Sequence, residues 1–61
     1  MKMYIWYGNY SVTICMAHDL DEARSIAENK RKYVREDDLK MVLNDDPHEI
    51  YEEPTCFWYG E

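Results

Sequence analysis

The chain has 61 residues, 46% of them hydrophobic and 15% aromatic, and carries a formal net charge of −6. Folding buries only about 60% of the surface that so short a chain exposes when unfolded, which leaves room for one core and excludes a second domain or a large enclosed reaction chamber. No apolar run approaches the ~18 residues of a membrane span, and the amino terminus lacks a basic stretch followed by a hydrophobic run and a small-residue cleavage site, so a cytoplasmic protein is expected.

Charge is divided unevenly along the chain. Residues 1–35 hold six basic and four acidic side chains, for +2, whereas residues 36–61 hold one basic and nine acidic ones, for −8. An acidic half of this kind either solvates the molecule or steers it toward a basic partner, because clustered like charge selects partners by sign.

In chain order, Met3–Tyr7 and Val12–Met16 are rich in β-branched and aromatic residues and are separated by the turn signal Gly8-Asn9, which predicts a β-hairpin. Alternation sets Met3, Ile5 and Tyr7 against Tyr4 and Trp6 in the first strand, and Val12, Ile14 and Met16 against Thr13 and Cys15 in the second. Asp19-Leu20-Asp21-Glu22 then forms a capping box. Leu20, Ala23, Ile26, Ala27 and either Tyr33 or Val34 recur on one helical face, with Lys30, Arg31, Lys32 and Arg35 toward the end where the helix dipole favours cations, so a first helix is expected over about 20–33.

Asp37-Asp38 starts a second, short helix with Leu39, Val42 and Leu43 on its apolar side, broken by Asn44-Asp45-Asp46-Pro47. Residues 47–53 fit either one more helical turn, with Asp46 as its cap and Pro47 in the first position, or an irregular loop. After Pro54, Thr55–Tyr59 reads as a third strand. The expected fold is a single α+β domain over residues 1–61. It has two layers: a three-stranded antiparallel sheet with two short helices on one face, in the order β-β-α-α-β. With Ile5, Ile14 and Phe57 or Trp58 facing the helices, Tyr4 and Trp6 are expected on the uncovered face. Cys15 and Cys56 lie within strand-like segments and are expected as reduced core thiols.

Reactive constellations are weak. Ser11, Ser25, Cys15, Cys56, His18 and His48 supply the pieces of a nucleophilic triad without a strained nucleophile turn or an oxyanion loop. The clusters His18/Asp19/Asp21/Glu22 and Asp45/Asp46/His48/Glu49 match no metal-ligand spacing, and Cys15-x-x-His18 has no second half. The two glycines, Gly8 and Gly60, cannot form a phosphate cradle. Paired carboxylates need a pocket to shift their pKa values, and the chain has little material to build one. Neither an enzyme nor a cofactor or metal is therefore expected. Direct nucleic-acid binding is disfavoured because the acidic half repels a polyanion.

The opposite relationship to nucleic acid is the leading expectation. Carboxylates spaced along a short helix and the following segment can imitate phosphates, and Glu36, Asp37, Asp38, Asp45, Asp46, Glu49, Glu52 and Glu53 are the candidate residues, with Tyr4, Trp6 and Trp58 as desolvated anchors. The partner would be a protein with a basic, nucleic-acid-binding surface. An alternative is a structural or self-associating module that uses an open aromatic sheet face, as a monomer or weak homodimer. In its size, its acidity and the strand followed by A-x-D-x-x-E-A-R (Ala17, Asp19, Glu22, Ala23, Arg24), the chain resembles small proteins encoded by phages and mobile elements, some of which are anti-CRISPR inhibitors. That resemblance implies an inhibitory role and assigns no individual residue.

Overall fold

The computed structural model describes residues 1–30, 32 and 34–56. Strands β1 (Lys2–Tyr7) and β2 (Val12–Ala17) form the hairpin, helices α1 (Leu20–Asn29) and α2 (Glu36–Asn44) follow, and strand β3 (Glu49–Tyr51) closes the order β-β-α-α-β. All strand pairings are antiparallel and the sheet order is β2-β1-β3, so the amino-terminal strand is central. This is the α+β architecture expected from the sequence.

The hairpin closes where the Gly8 amide donates to the Ser11 carbonyl at 2.8 Å. Gly8 has no positive φ. Space favours it instead: a Cβ there would lie 2.7 Å from Asp38 Oδ1 and 2.8 Å from Ser11 Oγ, so one of these side chains would have to move. Asp19 caps α1, its Oδ1 accepting from the Glu22 amide at 2.8 Å. Glu22 reaches back one residue further than a capping box requires and accepts from the His18 amide at 3.0 Å. The helix stops at Asn29, short of the expected residue 33. Lys30 follows as the C-cap, its amide donating to the Ile26 carbonyl at 3.0 Å.

Helix α2 begins one residue earlier than Asp37, behind Arg35, which makes no side-chain cap; Glu36, Asp37 and Asp38 occupy its first turn, where the dipole favours anions. The third strand departs from expectation. Glu49–Tyr51, within the stretch that fits a turn or a loop, pairs with β1 through Met3↔Tyr51, Tyr4↔Ile50 and Ile5↔Glu49. Thr55 and Cys56 belong to no strand, and Phe57, Trp58 and Tyr59 of the expected third strand lie outside the described residues. Antiparallel pairing with β1 needs only a brief reversal after α2, and the β-branched and aromatic pair Ile50-Tyr51 suits a strand.

The two sheet faces are the reverse of those expected. Tyr4 (3% exposed) and Trp6 (0%) face the helices and build the core with Cys15, Ala17, Ala23, Ala27, Leu39 and Val42. Val12, Ile14 and Met16 point away from it and are 38%, 52% and 56% exposed. Register explains the choice. Tyr4 pairs with Cys15 and Trp6 with Thr13, so each large ring sits beside a small side chain, and α1 approaches through Ala23 and Ala27. The rings stack with centroids 6.4 Å apart, and burying them removes more apolar area from water than burying the aliphatic set. Ile5, on the face away from the helices, is also buried. Cys15 is a buried thiol as expected, whereas Cys56 is exposed.

Candidate functional site

The core dictates where the carboxylates stand. Trp6 is enclosed, so its indole N–H needs an acceptor, and the Asp45 carbonyl at the end of α2 provides it at 3.1 Å. Arg24 of α1 donates to the same carbonyl at 3.1 Å and to the Val42 carbonyl at 2.9 Å, which satisfies acceptors that a helix end leaves open. The His48 amide then donates to the Ile5 carbonyl at 2.8 Å, and the Tyr7 amide donates to His48 Nδ1 at 3.1 Å. The His48 ring nitrogen thereby ties the end of β1 to the segment that leads into β3. These bonds fix the backbone from Asp45 into β3.

Five carboxylates project from this fixed stretch. Residues 45–53 contain Asp45, Asp46, Glu49, Glu52 and Glu53 and no Lys or Arg. Asp45, Asp46, Glu52 and Glu53 are exposed. Glu52 meets Lys2 Nζ at 3.0 Å, and that hydrogen bond raises the Lys2 pKa. An exposed pair of this kind adds little to stability.

Glu49 is held differently. Its two oxygens accept from the hydroxyls of Tyr51 and Tyr7. These bonds, Tyr51 first, hold the Glu49 carboxyl below the usual glutamate range, and the carboxylate in turn raises both phenols. The Tyr7 and His48 rings lie 5.8 Å apart. The result is an ionised carboxylate framed by two rings and an imidazole on the side of the sheet away from the helices.

Of the other candidates, Glu36 and Asp37 stand exposed at the start of α2, and Asp45 and Asp46 follow its end. A nine-residue helix separates the two groups by roughly 13 Å. Asp38 is withdrawn from the surface. It is 9% exposed and its Oδ1 accepts from Ser11 Oγ at 2.8 Å, so it fastens α2 to the hairpin. Tyr4 and Trp6 are enclosed and cannot serve as surface anchors; Trp58 lies outside the described residues. The rings that accompany the acidic segment at the surface are instead those of Tyr7, which is exposed, and Tyr51, which is half-buried. Their position follows from the alternation of β1 and β3 once the buried face is known, and no local motif marks them.

Among the described residues, no three His, Cys, Asp or Glu side chains converge as metal ligands, and no helix is long and apolar enough to cross a membrane. The fold and this edge define a small α+β domain whose β3 side is a preorganised acidic surface. No protein-family model matches the chain, and no curated protein or solved structure matches it either.

Proposed function

We propose that this chain is a non-enzymatic binding protein whose acidic β3 edge occupies the basic, nucleic-acid-binding surface of another protein and thereby inhibits it. The observation that supports this reading is the fixed backbone beneath Asp45 and Asp46: Trp6, Arg24 and His48 hold it, so the carboxylates are displayed with less backbone left to order at the moment of binding. Glu36 and Asp37 extend the negative surface along α2, and Tyr7 and Tyr51 supply aromatic area beside Glu49. A net charge of −6 opposes direct contact with nucleic acid itself.

An anti-defence role of the anti-CRISPR kind fits the same reading. The A-x-D-x-x-E-A-R stretch does not specify it, since each named residue has a structural task here: Ala17 ends β2, Asp19 caps α1, Glu22 bonds back to His18, Ala23 packs in the core and Arg24 closes α2.

The test is capture from a bacterial lysate on immobilised protein, in parallel with the Asp45→Asn/Asp46→Asn variant, followed by elution with duplex DNA and then with salt. The proposal expects a nucleic-acid-handling protein that the variant fails to retain and that duplex DNA displaces. Equal retention by the neutralised variant, or indifference to DNA, overturns it.

A further inference from the structure

The sheet has two edges with different protection. The β3 edge is three residues long and is flanked by Glu52, Glu53 and Pro54, devices that discourage further strand pairing. The β2 edge is six residues long, VTICMA, with no Lys, Arg, Asp, Glu or Pro. Beside it runs a groove of about 600 Å³, lined along the strand by residues 11–16 and on the helix side by Ile26, Lys30, Val34 and Arg35 among others.

Hydrogen-bond parity shows what this edge offers. The Gly8–Ser11 bond closes the hairpin, and antiparallel pairs alternate from there. Thr13, Cys15 and Ala17 therefore turn their amides and carbonyls toward β1, while those of Val12, Ile14 and Met16 point outward. The other side of β1 agrees, since the Ile5 carbonyl and the Tyr7 amide bond to His48. The residues with outward-facing backbone are thus the three aliphatic ones whose side chains are exposed.

We propose that the β2 edge pairs with the β2 edge of a second copy of this chain, antiparallel about a two-fold axis through Ile14. That register sets Ile14 against Ile14 and Val12 against Met16, exchanges about six backbone hydrogen bonds and merges the exposed stripes of both copies. Helix α1 carries a matching pattern. Glu22, Ile26 and Lys30 form one stripe at i, i+4 and i+8, and Ile26 and Lys30 line the groove. Because α1 runs back along β2 after a two-residue link, Lys30 lies toward Val12 and Glu22 toward Met16. Four helical residues rise ~6 Å and two strand residues ~6.8 Å, so the two stripes keep step. The same axis then brings Ile26 to Ile26 and Glu22 to the other copy's Lys30, opposite charges on both sides. A foreign strand would need to reproduce this pattern; a second copy carries it by symmetry. The acidic edges end up at the outer margins of a six-stranded sheet, roughly 24 Å apart, where their repulsion does not oppose the contact.

This proposal does not depend on the inhibitory reading, and its test leaves the acidic edge unchanged. Sedimentation velocity of the full chain from 1 to about 300 μM is expected to show a monomer–dimer equilibrium. Ile14→Pro removes an outward amide, which an edge strand tolerates, together with the half-exposed side chain at the centre of the contact, and should raise the dissociation constant at least tenfold with the circular dichroism spectrum retained. Should that variant unfold, Ile14→Lys serves the same purpose. Register is read by disulfide trapping in a Cys56→Ser background. Ile14→Cys should cross-link to itself, whereas Val12→Cys should cross-link to Met16→Cys and not to itself. A chain that stays monomeric throughout overturns the proposal. So does a dimer indifferent to both Ile14 variants, or a groove that takes up an added extended peptide while the chain remains monomeric.

Discussion

Replacing Trp6 with alanine tests which sheet face is the core. Trp6 is fully enclosed, and truncating such a residue costs about 3–5 kcal/mol. At ~0.05–0.15 kcal/mol per residue, a chain of this length has roughly 3–9 kcal/mol of folding stability in all. Trp6→Ala therefore removes a third or more of it, and at about 4–8 °C per kcal/mol the melting temperature falls by at least ~12 °C or the chain does not fold. Ile14→Ala, at a side chain 52% exposed, should cost under about 1 kcal/mol. Trp6→Phe keeps most of the ring but leaves the Asp45 carbonyl with Arg24 alone, for a loss of about 1–2 kcal/mol. Urea unfolding followed by circular dichroism measures all three, at low protein concentration so that association contributes least. If Ile14→Ala proves more damaging than Trp6→Ala, the assignment of the faces is wrong, and with it the account of how the acidic segment is held.

Three further outcomes are expected. Gly8→Ala should destabilise by about 1–2 kcal/mol: the new Cβ displaces Asp38 from Ser11 and forfeits a charge-assisted bond of ~1.5–3 kcal/mol, against a gain of ~0.4–1 kcal/mol from a stiffer unfolded chain. In a Ser11→Ala background the same substitution should cost less, and an unchanged cost would refute the mechanism. Carbon-detected NMR titration should find the Glu49 carboxyl ionising below the ordinary glutamate value and returning toward it in Tyr51→Phe and Tyr7→Phe; because the folded pKa is depressed, the small associated stabilisation is present above the ordinary glutamate pKa and is lost as pH falls through the depressed one. A thiol reagent near pH 8 should modify Cys56 at once and Cys15 only on unfolding, since burial encloses the Cys15 thiol and raises its pKa; two equally fast thiols would show that Cys15 is not in the core.

The hairpin, the Asp19 cap and both helices were legible in the sequence because each rests on short-range chemistry: turn residues, a carboxylate three positions before an amide, and apolar residues at helical spacing. The sheet face was not legible. Both alternations of β1 and β2 are apolar, and Val12, Ile14 and Met16 look more core-like than Thr13, Cys15 and Ala17. Only the fit of two large rings against small partners and α1's alanines decides between them, and that is a three-dimensional property. That Glu49–Tyr51 forms a strand is hidden in the sequence for a similar reason. Thr55–Tyr59 has the stronger strand composition, yet Glu49–Tyr51 pairs with β1 directly after α2. Asp38 shows the limit for the candidate site: in the sequence it is one carboxylate among many, and the proximity of Gly8 and Ser11 turns it inward.

The division of charge along the chain becomes a division between the two edges of one sheet. The basic first half supplies β2 and α1, whose shared flank is apolar with balanced charge at its ends. The acidic second half supplies the end of α2 and β3, on the opposite side of the central strand. Trp6 connects them, because the alternation that buries it turns Ile14 and Met16 outward on one edge while its indole fixes Asp45 on the other. The fixed acidic segment and the outward-facing Val12, Ile14 and Met16 are therefore consequences of the same packing choice. A substitution that loosened Trp6 would disturb both surfaces together, whereas Asp45→Asn and Ile14→Pro each address one of them, which makes the proposed inhibition and the proposed pairing separable by experiment.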